Sequence, residues 1–345
     1  MIQVENITKR YGNFTAVDGI SFDIDEGEIV GFLGPNGAGK STTMNMITGF
    51  IEPSDGRIIV DGYDISKKPQ KAKRQIGYMP EGVPLYSDLT VKEFVAYMAD
   101  LKGCEKKTKK EEIKKVLEET GLTEVQNKLT KNLSRGYKQR VSMAGALVGN
   151  PKVIILDEPT VGLDPKQVTE IRTLIKNLGK KHTVILSSHI LSEVSQICNR
   201  VIIINKGKIV AIDTPENLEN KVAQNNVVYV TVEDPENKID SIKEKLNNIK
   251  DIQFVVENED KTKKYIIKGE RDIDLRKEIF ETLSKEGITI FEMKKADATL
   301  EDAFMKLIND STNSNNTTEE NDQENQNDDK DEKEISEKEN KKEDK

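Results

Sequence analysis

The chain has 345 residues, with 53 Lys and Arg against 61 Asp and Glu and a formal net charge of −8. The length suggests about two domains, and since Ser311–Lys345 alone carries −7, the preceding residues are close to neutral, which argues against a nucleic-acid footprint spread over the whole protein. No apolar run approaches the roughly 18 residues of a membrane span, Met1–Glu5 lacks the features of a signal peptide, and two cysteines with two histidines argue against a disulfide framework or a Cys/His zinc site.

Residues 1–218 read as one α/β unit, in which short β-rich runs alternate with helical stretches. Ile2–Ile7 and Ser21–Ile24 read as strands, and Glu28–Leu33 as a buried strand running into a glycine-rich turn. Ser41–Phe50 follows as helix, and Arg57–Val60 as strand after the turn Ser54-Asp55-Gly56. Residues 89–149 show no strand pattern. There Thr90 and Glu93 form a capping box that opens a helix, Lys109–Thr120 is a second helix and Gly136–Val148 a third, which together make a helical insertion. Val153–Leu156 and Thr183–Leu186 are apolar strands with a helix, Lys166–Leu178, between them. Arg200–Ile204 and Lys208–Ala211 flank Asn205-Lys206-Gly207, a hairpin signal.

A boundary is expected near Thr214–Asn226. Beyond it come a strand (Val227–Val232), a helix (Ile239–Asn247), two strands (Ile252–Val256, Tyr265–Lys268), a helix (Ile273–Gly287), a strand (Ile288–Lys294) and a last helix (Leu300–Ile308). The βαββαβ order predicts a small α+β, ferredoxin-like C-terminal domain over residues 219–310. Residues 311–345 hold one aliphatic residue, Ile335, and no aromatic. They cannot bury enough surface to offset chain entropy, and a disordered tail is expected.

Gly34-Pro35-Asn36-Gly37-Ala38-Gly39-Lys40-Ser41 fits the P-loop pattern, between a predicted strand and a predicted helix. Glycines let backbone N–H groups turn toward phosphate oxygens, and the helix N-terminus adds partial positive charge. Lys40 would reach the outer phosphates and Ser41 would ligate Mg²⁺. Val153–Glu158 is an apolar strand ending in two carboxylates. Such a strand suits a Mg²⁺ site opposite a P-loop, with Asp157 on the metal side and Glu158 polarising the attacking water.

Leu133-Ser134-Arg135-Gly136-Tyr137, just before that strand, resembles the signature of ATP-binding cassette (ABC) ATPases. Asp157-Glu158-Pro159-Thr160 and the following Val161-Gly162-Leu163-Asp164 resemble that family's Walker B and D-loop, and Ser187-Ser188-His189 its switch histidine. The motifs stand in family order over about residues 1–215. The resemblance implies a P-loop NTPase of the ABC type: a RecA-like core sheet, an antiparallel β subdomain and a helical insertion. It implies an ATPase with ATP and Mg²⁺ as cofactors, and a homodimer whose two cassettes sandwich ATP head to tail. Tyr11 would stack on adenine, residues 34–41 and Thr42 would hold the phosphates, and Ser41, Glu81 and Asp157 would hold the metal. Ser134 and Gly136 would contact the γ-phosphate of the partner's ATP, Asp164 would link the two sites, and Lys40, Glu158 and His189 would carry catalysis. The implied partner is a separate integral-membrane permease, which places the chain on the cytoplasmic face of the membrane, as in the ATPases of gliding motility and of multidrug or antibiotic export that the chain resembles. No nucleic-acid partner is expected.

Two departures stand out. Arg135 and Tyr137 replace a glycine and the glutamine of the usual Leu-Ser-Gly-Gly-Gln, and Glu81 stands where the family carries the Q-loop glutamine. Elsewhere, the Lys-rich stretch Lys102–Lys115 reads as a solvated helix face, because Glu105, Glu111 and Glu112 interleave. His182 lacks the context of His189 and reads as a surface residue. Two alternatives compete with the transporter reading: a soluble ABC ATPase acting on ribosomes or nucleic acid, and a regulatory module that binds ATP without turnover. One cassette per chain and the absence of a long coiled coil weigh against the first, and the pair Glu158 and His189 against the second.

Overall fold

The computed structural model describes residues 1–82, 85–222, 227–234, 239, 248–258, 261–269, 275–295 and 299–308. The chain divides into two compact units, the first holding Met1–Asp213 and the residues from Phe304 on, the second Thr214–Ala303.

The first unit contains two sheets. β1 (Ile2–Tyr11), β2 (Phe14–Ile24), β4 (Asp55–Val60) and β5 (Tyr63–Asp64) form an antiparallel sheet in the order β2-β1-β4-β5. Ile2, Val4, Phe22, Ile24, Ile58 and Val60 alternate along these strands and are buried, which places one face on the core. β1 and β2 are longer than expected, because Tyr11 pairs with Phe14 across a tight turn at Gly12-Asn13. The second sheet has the order β10-β9-β3-β8-β7-β6. Its members are β3 (Ile29–Leu33), β6 (Ile76–Met79), β7 (Val153–Asp157), β8 (Thr183–Ser188), β9 (Arg200–Asn205) and β10 (Lys208–Asp213). All its pairings are parallel except β9 with β10, which is the expected hairpin at Lys206-Gly207. Every residue of β3, β7 and β8 is buried, as continuous apolar strands covered on both faces should be. One core joins the two sheets, with Phe22 of β2 against Phe32 of β3 at 5.8 Å between ring centroids.

α1 (Lys40–Ile47) follows β3, and α2 (Pro69–Arg74) precedes β6. The insertion holds α3 (Val91–Leu101), α4 (Lys109–Glu119) and α5 (Arg135–Leu147). The Thr90–Glu93 capping box is present in both directions. α6 (Pro165–Gly179) and α7 (Leu191–Ile197) complete the unit. β6, α2 and α7 escaped the sequence reading: each is four to seven residues long, too short to show a period. Parallel β3, β8, β7 and β6 all run out at one edge of the sheet, the edge where ligands bind in open α/β folds.

The second unit carries α8 (Pro215–Val222) and an antiparallel sheet in the order β12-β13-β11-β14. Its strands are β11 (Val227–Glu233), β12 (Ile249–Glu257), β13 (Lys263–Gly269) and β14 (Thr289–Lys295), with α9 (Arg276–Lys285) preceding β14. Val228, Val230, Tyr265 and Ile267 pack with Ile279 and Leu283 of α9. The strand order is that of the ferredoxin-like arrangement. The expected helix Ile239–Asn247 lies outside the described residues apart from Ile239, and the tail 311–345 lies outside them altogether.

Candidate active site

The ends of β3, β8 and β7, with the segment after β6, surround a cleft of about 600 Å³. Asn36, Gly37, Gly39, Lys40, Ser41 and Thr42 line it from the loop between β3 and α1, Glu158 from the end of β7, His189 from the end of β8, and Glu81 from beyond β6. Tyr11, Phe14 and Ala16 close it from the antiparallel sheet.

The loop leading into α1 is built around its lysine. Lys40 is buried, and its ammonium donates to the carbonyls of Gly34 at 2.7 Å and Pro35 at 3.2 Å. An ammonium has three N–H bonds, so two fold the loop around the side chain and one is left for an anion. Gly39 occupies the left-handed region (φ +110°), and a Cβ there would lie 2.7 Å from the carbonyl oxygen of Ala16. No side chain caps α1, and its first-turn amides are left to whatever enters the cleft. Burial pushes the Lys40 ammonium below its ordinary pKa, while Glu158, Asp157 and Glu81 act in the opposite direction. Three carboxylates therefore lie within electrostatic range of one buried cation.

Asp157 and Glu158 share one hydroxyl. Ser187 Oγ donates to Asp157 Oδ1 at 2.5 Å and accepts from the Glu158 amide at 3.0 Å. Glu158 has φ +50°, a conformation costing a non-glycine residue roughly 1–2 kcal/mol. The backbone turns there: the Val161 amide donates to the Glu158 carbonyl at 3.3 Å, and Thr160 Oγ1 donates to the buried Glu193 at 2.6 Å. The turn points the Glu158 carboxylate at His189, whose Nδ1 lies 2.8 Å from Oε2. That contact occupies Nδ1 of the imidazole.

Ser134, Gly136 and Asp164 lie elsewhere. With Tyr137, Arg140 and Gln167 they line a separate hollow of about 230 Å³. Ser134 caps α5 by accepting from the Tyr137 amide at 3.5 Å, and Asp164 caps α6 by accepting from the Gln167 amide at 2.9 Å. The predicted residues thus fall into two groups within one chain. Phe14 was missed by sequence reasoning; its signal is the pairing with Tyr11, visible only once the hairpin is known. His182 is corrected: it is buried, with Nδ1 2.7 Å from the Pro151 carbonyl oxygen, and that burial lowers its pKa. The chain returning from α6 into β8 carries it under the start of β7, which sequence periodicity does not reveal.

Among the described residues no helix is long and apolar enough to cross a membrane, and no group of three or more His, Cys, Asp or Glu could hold a metal by itself. Residues 17–161 match the ABC transporter family. The linearmycin resistance ATP-binding protein LnrL of Bacillus subtilis is 41% identical over 233 residues, covering 67% of this chain and 75% of that protein. The bacitracin transport ATP-binding protein BcrA of Bacillus licheniformis is 34% identical over 315 residues, covering 90% and 98%. A solved ATP-binding cassette, a dimer in a post-hydrolysis state with ADP and Pi, is 28% identical with a TM-score of 0.56 and covers 62% of this chain and 98% of that one. A nucleotide-sized cleft built on a buried P-loop lysine, facing two carboxylates at a strand end, accords with that likeness: the chain is an ATP-binding, ATP-hydrolysing protein of the ABC transporter family.

Proposed function

We propose that this chain is the energy-supplying subunit of an exporter of antibiotics or similar drugs, docked on the cytoplasmic face of a separate membrane permease. The observation that carries the mechanism is the division of the site residues between a cleft and a separate hollow. The cleft supplies Lys40, the α1 amides, Glu158 and His189. The hollow supplies Ser134 and Gly136 at the start of α5. A second copy, turned head to tail, would bring its hollow over this cleft and complete the phosphate contacts. The names of LnrL and BcrA support the drug-export reading.

In this reading Tyr11, with Phe14 beside it, offers an aromatic face to the adenine. Gly34, Pro35, Asn36, Gly37, Ala38, Gly39 and Thr42 shape the phosphate cradle, and the third N–H of Lys40 meets the outer phosphates. Mg²⁺, when bound, would offset the phosphate charge. Ser41, Asp157 and Glu81 would hold it, and this sparse set suits a cation that keeps its waters and takes one or two carboxylates. Glu158 accepts the proton of the attacking water, and His189 fixes the Glu158 carboxylate and faces the γ-phosphate. Asp164, at the end of the turn that begins at Glu158, links the two sites. The chemistry is phosphoryl transfer to water, governed by positioning and electrostatics.

The test is turnover and size of the purified chain with ATP and Mg²⁺, compared with Glu158→Gln. Loss of the base should lower kcat about 100-fold or more and trap an ATP-bound dimer. Wild-type hydrolysis by the variant would remove Glu158 from the mechanism. A variant that stays monomeric without turnover, even with its permease in membranes, would remove the sandwich.

A further inference from the structure

Arg135 is the residue at which the signature of this chain departs from a glycine, and its guanidinium has a defined seat. A Cβ built on Gly162 would collide with Cζ, Nη1 and Nη2 of Arg135. The planar end of the side chain therefore lies on the backbone of the 158–164 turn, in the space a side chain at position 162 would take. Gly162 is in the left-handed region (φ +69°). Beside it, a Cβ on Gly136 would lie 2.8 Å from Cδ and Oε1 of Gln167, so the next residue of α5 packs on the first turn of α6, just past this segment.

The turn is held at its other points. Its first residue hangs from Ser187 through the Glu158 amide, Thr160 is tied to Glu193, and Asp164 caps α6. Between Thr160 and Asp164, the contact at Gly162 comes from Arg135. That residue directly follows Ser134, and the turn begins at Glu158. A movement of the α5 N-terminus would reach the middle of the turn through the guanidinium at Gly162.

We propose that Arg135 is a positioning residue for ATP hydrolysis: its guanidinium, seated on Gly162, fixes the 158–164 turn against the signature turn of the same chain. This rests on the reading of Glu158 as the group that accepts the proton from water. Gly162 is then required for two reasons, its backbone conformation and the room it leaves. A guanidinium ends a flexible side chain, so a methyl group at 162 would displace it, and it would also strain the left-handed backbone there.

The experiment is a double-mutant cycle on the full chain: Arg135→Ala, Gly162→Ala and the pair, with kcat, KM for ATP and thermal midpoint measured for each. Arg135→Ala is expected to lower kcat about tenfold, the effect of losing one contact that orients a reacting group. KM should stay within about twofold and the midpoint within about 2 °C, since a surface substitution outside the cleft changes stability little. Gly162→Ala should lower kcat at least as far, and the double variant should be no worse than Gly162→Ala alone, because both changes unseat the same guanidinium. Losses that multiply would overturn the proposal, as would an unchanged kcat in Arg135→Ala. If Gly162→Ala does not fold, Arg135→Ala decides alone by that same criterion. Glu158→Gln measured beside them separates the two ideas: its continued turnover refutes the assignment of the base, whereas an inactive Glu158→Gln with multiplying losses refutes only the role of Arg135.

Discussion

The amino ends of α1 and α5 are both loop-to-helix junctions rich in glycine and hydroxyl residues, yet they are finished differently. At α1 the loop wraps a buried lysine, no side chain caps the helix, and the residues open into a cleft of about 600 Å³. At α5 a serine caps the helix from 3.5 Å, at the outer limit of a hydrogen bond, over a hollow of about 230 Å³. The neighbouring α6 is capped from 2.9 Å by Asp164. A loose cap leaves the α5 amides and the Ser134 hydroxyl able to exchange partners at little cost. The α1 junction can hold an anion from within a single chain, and in the proposed sandwich the α5 junction would meet one brought to it.

Three substitutions press on that contrast. The largest effect is expected from Lys40→Ala. It removes the cation and also releases the carbonyls of Gly34 and Pro35, and a charge-assisted contact with phosphate contributes about 1.5–3 kcal/mol. A fluorescent ATP analogue should bind about 100-fold more weakly, and nucleotide should no longer raise the thermal midpoint. Retained affinity would mean that the backbone cradle suffices alone. Ser134→Ala should leave the affinity of one chain for the analogue unchanged and lower turnover about tenfold, because its cap is weak and, in the proposed sandwich, its phosphate partner would be held by another chain. An equal loss of binding would show both helix junctions acting on the same nucleotide within one chain.

The third test concerns the joint between the helical insertion and the parallel sheet. Lys102, at the end of α3, donates to the carbonyls of Ile76 in β6 at 3.0 Å and Ala146 in α5 at 3.3 Å. Burial pushes its ammonium from 10.5 down to about 8. Between those values the unfolded chain holds a proton that the folded chain has lost. Stability should therefore rise as pH increases through that window and be lower below it, by about 3 kcal/mol at most. Lys102→Met should flatten the rise in urea unfolding compared between pH 7.5 and 10. An unchanged slope would mean that the joint does not titrate.

The cleft was largely legible in the sequence because its parts are local. A strand, a glycine turn and a lysine are contiguous in Glu28–Ser41, and a run of buried apolar residues stopping at two acids is contiguous in Val153–Glu158. What stayed hidden depends on neighbours distant in the chain. The burial of His182 is set by Pro151, 31 residues away, and the contact of Arg135 with Gly162 by the approach of α5 to the turn after β7. β6 shows as a strand only through its pairing with β7. Phe14 joins the cleft only because the turn at Gly12-Asn13 brings it opposite Tyr11.

The hydroxyl of Ser187 has a further consequence. It is donor to one carboxylate and acceptor from the backbone of the next residue, so one oxygen atom ties the side chain of the first acid to the main chain of the second. Alanine at 187 would release the Asp157 carboxylate and the Glu158 amide together, while the Glu158 carboxylate would keep its contact with His189. The side chain of one acid and the backbone of the next would then shift together, under the control of a residue that carries no charge.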